Sequence, residues 1–151
     1  MFLKNVAAIS RYGYIYAHRN LKNIDITGSE HSIVIYLSRH DGVNQESISE
    51  ALMLDKGTIA KNLAQLEEKN FITRVVNQEN RREKIISLTE YGKSVVNVVL
   101  DVSKNWENDV LNGLTPQEKD AFHRLSEKIA YNAKMIADNN GQERENERKS
   151  N

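Results

Sequence analysis

The chain has 151 residues, 39% hydrophobic and 28% charged, with 21 Lys and Arg against 21 Asp and Glu; this allows one globular domain with a real core and excludes disordered and collagen-like classes. No stretch approaches the roughly 18 to 20 apolar residues of a membrane span, and Met1-Phe2-Leu3-Lys4 lacks the apolar segment of a secretory signal, so a soluble cytoplasmic protein is expected. Zero cysteines exclude disulfide frameworks, thiolate zinc sites and cysteine nucleophiles, and a single proline favours long helices over a turn-dense β architecture.

Val6, Ile9, Tyr12 and Tyr16 fall at three- and four-residue spacing, which predicts one amphipathic helix over about the first twenty residues. Thr27-Gly28-Ser29-Glu30 has the spacing of a capping box and opens a second helix with Ile33, Val34 and Leu37 inward, ending near Asp41-Gly42. A short third helix starts near Gln45, with Ile48, Ala51 and Leu52 inward. Asp55 then caps a fourth, whose Ile59, Leu63 and Leu66 form the apolar stripe and whose outer face keeps Lys56, Thr58, Lys61, Asn62 and Gln65.

Phe71 to Val76 and Lys84 to Leu88 are β-branched runs separated by a polar segment, a hairpin with a charged tip. From Thr89 a long helix carries Val95, Val99, Val102, Trp106 and Val110 on one face until Gly113. Thr115-Pro116-Gln117-Glu118 joins a capping box to a proline at the first helical position, opening a last helix with Phe122, Leu125, Ile129, Ala133 and Ile136 inward. Beyond Asn139 apolar residues vanish, and a disordered tail is expected over 138–151.

Two short helices joined by a tight link and followed by a hairpin with arginines at its tip have the element order of a winged helix-turn-helix. Such a unit lays its second helix in a DNA major groove while the hairpin reaches phosphates or the minor groove. Lys56 and Lys61 can neutralise phosphates or donate to guanine edges, Thr58 and Asn62 can hydrogen-bond phosphates or bases, and Gly57 allows close backbone approach. Arg81 and Arg82 suit the electronegative minor groove. Residues 54 to 93 hold eight Lys and Arg against six Asp and Glu, a weak local excess within a chain of pI about 6.9. On charge alone, solvated helix and turn faces explain these residues equally well.

Asp55-Lys56-Gly57-Thr58-Ile59-Ala60-Lys61-Asn62-Leu63, Leu66-Glu67-Glu68-Lys69-Asn70-Phe71-Ile72, Asn80-Arg81-Arg82 and Leu88-Thr89-Glu90-Tyr91-Gly92 together resemble the multiple-antibiotic-resistance regulator (MarR) family. The resemblance spans roughly residues 5 to 137 and is densest from 44 to 93. It implies a mainly α fold with a small β-hairpin wing: a winged helix-turn-helix over about 27–93, with dimerisation helices over about 1–22 and 89–137, in a single domain ending at 137. It implies a homodimeric transcriptional regulator of double-stranded DNA, with contacts at Lys56, Gly57, Thr58, Lys61, Asn62, Arg81 and Arg82. Family wings often carry aspartate where Asn80 stands, and glycine is usual where Asn70 stands; asparagine tolerates the left-handed conformation of a helix C-cap. Repression by occlusion of a nearly palindromic operator is the expected mode, since no activation segment is visible.

The family often binds small anionic aromatics between the dimer helices and the DNA lobe. Tyr12, Tyr16, His31 and Trp106 are the candidates for such a cleft, although aromatic residues at helical spacing more often simply pack. His18, His31, His40 and His123 form no HxxxH or HExxH pair, so no metal or other cofactor is expected, with Glu30 and His31 the sole open question. Ser29, Ser32 and His31 lack an elbow motif or a third triad member, and no enzyme is expected. The competing reading is a winged helix that binds proteins rather than DNA, because fold alone does not fix function.

Overall fold

The computed structural model describes the backbone of residues 1–150 and the side chains of residues 1–138. In chain order it contains α1 (Phe2–Leu21), a 3-10 turn (Lys22–Ile24), α2 (Glu30–Arg39), α3 (Gln45–Leu52), α4 (Lys56–Glu68), β1 (Ile72–Val76), β2 (Lys84–Leu88), α5 (Glu90–Val110) and α6 (Pro116–Ser150). The backbone groups into two compact units, Met1–Val110 and Leu111–Asn151, where the sequence reads as one domain over 1–137. The tail expected over 138–151 lies, in nearly all its side chains, outside the described residues.

In the first unit α3, α4 and α5 start where a side chain takes an orphan amide, while α1 begins at Met1 without one. Asn44 accepts from the Ser47 amide at 2.9 Å and Asp55 accepts from the Thr58 amide at 2.8 Å, so α3 and α4 are both capped. At α2 the expected box forms by half: Glu30 Oε2 accepts from the Thr27 amide at 2.8 Å, while Thr27 Oγ1 faces Ser29 Oγ at 3.5 Å. The left-handed residues Met53 and Asn70, at φ 52° and 63°, end α3 and the turn after α4, as the asparagine at 70 led one to expect.

Ile33, Val34 and Leu37 of α2, Ile48 of α3, Ile59, Leu63 and Leu66 of α4, Phe71 and Ile86 of the hairpin and Val99 of α5 are fully buried together. Ala51 of α3, expected inward, is exposed. The strands pair antiparallel from Ile72 opposite Leu88 to Val76 opposite Lys84. An added bridge joins Val43, in the link before α3, to Ile86, with amide to carbonyl distances of 3.2 and 2.7 Å.

The terminal helices depart from expectation in a consistent way. In α1 the residues buried are Ala17 and Leu21, whereas Val6, Ile9 and Tyr12 are 47%, 44% and 58% exposed. In the second unit Thr115 and Glu118 form the full reciprocal box, at 2.8 Å and 3.3 Å. Beyond it Phe122, Leu125, Ile129, Ala133 and Ile136 are exposed rather than inward. Among the described residues no helix is long and apolar enough to cross a membrane.

Candidate nucleic-acid interface and an aromatic hollow

α4 presents a mixed surface. Its inner face is fixed by Ile59, Leu63 and Leu66, all without exposure. Lys56, Gly57 and Lys61 are exposed and Thr58 is half-buried. Thr58 is tied into the cap, its hydroxyl donating to Asp55 Oδ2 at 2.6 Å. That hydroxyl, then the Thr58 amide, hold the Asp55 carboxyl below its ordinary pKa. Arg81 and Arg82 are exposed at the hairpin tip, where the Arg82 amide donates to Asn80 Oδ1 at 3.3 Å, so Asn80 shapes the turn.

Among the described residues Lys61, Arg81 and Arg82 form no ion pair, and Lys56 pairs with Glu46 at 3.1 Å with both side chains largely in solvent. Such an exposed pair contributes little and is readily exchanged for a phosphate. A hollow of about 420 Å³ opens between the start of α3 and the wing, edged by Lys56, Arg82 and Lys84. Arg74 braces the wing's base, its Nε donating to Glu67 Oε2 at 2.8 Å; the Arg74 hydrogen bond lowers the Glu67 pKa.

Asn62 corrects the reading of this face. Expected on the outer surface as a DNA contact, it is 3% exposed. Its Oδ1 accepts from Ser29 Oγ at 3.2 Å, and its Nδ2 is the one buried side-chain atom without a hydrogen-bond partner among the described residues. Position 62 is three residues after Ile59 and four before Leu66, so helical geometry puts it on the buried face whatever its polarity. Sequence reasoning placed Glu30 in the capping box and missed its pairing with Lys69. Glu30 has no exposure, and both its carboxylate oxygens accept from Lys69 Nζ at 3.0 Å, while the same ammonium donates to the Asp25 carbonyl at 2.9 Å.

Of the four aromatic cleft candidates, three come together. Tyr16, His31 and Trp106 line a hollow of about 220 Å³ between α1, α2 and α5, with the Tyr16 and Trp106 rings 5.3 Å apart. Tyr12 does not line it: at 58% exposure it belongs to the bare stripe of α1, because it lies about 40° beyond Tyr16 around the helix, on the side away from Gly13 and Ala17, which the hollow takes instead. His31 Nδ1 faces the Gly28 carbonyl, which only accepts, so the proton sits on Nδ1. Burial pushes the imidazole pKa below its ordinary value and outweighs the opposing effect of that hydrogen bond. The lining holds no Lys or Arg. Among the described residues no group of three or more His, Asp or Glu is placed to hold a metal ion.

The sequence profile of the MarR family matches residues 26–84, the stretch from the turn before α2 to the start of β2. A solved structure of MarR itself superposes with a TM-score of 0.77 at 27% identity, covering 90% of this chain and 92% of that one. Residues 26–84 match the MarR family, and the chain is built like its winged-helix transcriptional regulators. The S. aureus MepR–DNA complex superposes with a TM-score of 0.81 at 26% identity over 88% of this chain and 98% of that one. The transcriptional regulator SarZ of Staphylococcus epidermidis is 32% identical over 89 residues, 59% of this chain and 60% of SarZ. Such relatives are named as regulators and not as enzymes, and this chain is likewise a regulator.

Proposed function

We propose that this chain binds double-stranded DNA as a homodimer, with Lys56, Gly57, Thr58 and Lys61 of α4 at the major groove and Arg81 and Arg82 of the wing at the minor groove. The observation that carries this is the set of exposed, unpaired cations Lys61, Arg81 and Arg82 on the winged unit of a chain similar to a DNA-bound regulator. Homodimerisation is supported by the apolar stripes left bare on α1 and α6, with Ile9 44% and Ile129 45% exposed. Two copies would address half-sites about 34 Å apart, which calls for a nearly palindromic operator. Repression then follows from occluding the promoter.

The hollow at Tyr16, His31 and Trp106 is the proposed seat of a small anionic aromatic that releases the dimer from DNA. Its rings fit the aromatic part; with no Lys or Arg in the lining, the hydroxyls of Ser10, Ser103, Tyr14 and Tyr16 and the Trp106 indole N–H are the donors available to an anionic group. The test is enrichment of duplexes from a random-sequence pool, followed by titration of the winning duplex at several salt concentrations. A DNA binder enriches a palindrome and shows log affinity falling linearly with log salt. Failure to enrich any duplex, or an affinity indifferent to salt, would overturn the reading and favour a protein-binding winged helix.

A further inference from the structure

We infer that Asn62 is a positioning residue for DNA recognition, acting through Ser29 to set the roll of α4 rather than touching the duplex; this rests on the DNA-binding reading above. Stability does not account for an asparagine here. A buried amide nitrogen without a partner is unfavourable, and an apolar side chain of the same shape would suit the surrounding core better. What asparagine supplies and leucine cannot is direction: one hydrogen bond, from Ser29 Oγ at 3.2 Å, ties the middle of α4 to the first turn of α2.

The neighbouring residue of that turn makes a second tie. Glu30, without exposure, holds Lys69 Nζ at 3.0 Å through both oxygens, just past the end of α4. Residues 62 and 69 lie about two helical turns apart on one side of α4, so two directional contacts from Ser29 and Glu30 define both its roll and its tilt. The turn that supplies them is itself pinned. A β-carbon on Gly28 would meet the Tyr14 α-carbon at 3.0 Å, so α1 lies directly on that backbone. Lys61, one residue from Asn62, points about 100° away around the helix. A roll of about 15° would carry its long side chain by ~2 Å, beyond the ~0.5 Å that productive contacts tolerate.

The experiment uses the full chain and the duplex that the wild-type protein selects from a random pool. Asn62→Leu should melt at or above the wild-type temperature yet bind that duplex about ten-fold more weakly, with an unchanged slope of log affinity against log salt because no phosphate contact is lost. Ser29→Ala should weaken binding in the same way, and the double variant should bind no more weakly than Asn62→Leu alone, since both act through one hydrogen bond. Weaker binding accompanied by a retained or raised melting temperature is a pairing that a merely structural role would not produce. If Asn62→Leu lowers the melting temperature, Ser29→Ala decides: wild-type affinity in that variant overturns the inference. Wild-type affinity in Asn62→Leu, or a double variant showing the full product of the two single losses, overturns it as well. A wild-type protein that selects no duplex overturns the DNA-binding reading and this inference together.

Discussion

Gly92 of α5 presses its α-carbon against the backbone of Phe71, so closely that a β-carbon there would overlap the Phe71 carbonyl oxygen. That oxygen is already engaged, accepting from the Thr89 amide at 3.0 Å, and the Thr89 hydroxyl accepts from the Gly92 amide at 2.9 Å. The start of α5 is thereby riveted to the junction of α4 and β1. Gly92→Ala has no flexible neighbour to displace and should destabilise the protein by about 3 kcal/mol. Urea unfolding followed by circular dichroism checks this; a midpoint within error of wild type would contradict the packing described.

Acid should loosen the start of α4 and the base of the wing. Asp55, held by the Thr58 hydroxyl and amide, and Glu67, held by Arg74, both have pKa values lowered in the folded state. Their stabilisation is therefore fully present above the ordinary carboxylate values of about 4 and is lost as pH falls through the lower folded values. Asp55→Ala should melt below wild type at neutral pH, and the gap should shrink in strong acid. A gap of constant size across that range would refute the assignment.

Lys61→Ala and Arg81→Ala should each weaken binding to the selected duplex by about ten-fold and, where a phosphate contact is lost, reduce the salt slope by about one. Both side chains are exposed, so the melting temperature should not move. Anisotropy titrations at four or so salt concentrations separate these variants from Asn62→Leu, whose slope should stay put.

Placing a charge on either bare stripe should break the proposed homodimer. Ile9→Glu and Ile129→Glu alter residues that lie outside the buried core, so helicity should persist while sedimentation shifts to the monomer. A sedimentation coefficient unchanged in both variants would remove α1 and α6 from the interface.

Much of this architecture was legible in the residues. The stripe Ile59, Leu63, Leu66, the cap at Asp55, the β-branched runs and the box at Thr115 each state a local rule, and each element formed within a residue or two of the place that rule assigns. What escaped was non-local. Glu30 and Lys69 are 39 positions apart, and nothing in either neighbourhood announces that one will bury its charge against the other. Asn62 was legible and misjudged: its polarity argued for solvent, while its spacing from Ile59 and Leu66 argued for the core, and packing won. The stripe on α1 was found correctly as a stripe, but a single chain does not say what covers it.

The bridge between Val43 and Ile86 divides the wing into two regimes of motion. Ile86 is locked from both sides, to Arg74 across the hairpin and to Val43 beyond it, so its amide should be among the last in this segment to exchange with deuterium. The amides from Gln78 to Arg82 are not part of the strand ladder and should exchange early. The wing is then a finger with a fixed knuckle, and on the proposed DNA-binding reading its arginines can search along a groove without disturbing the joint that carries them.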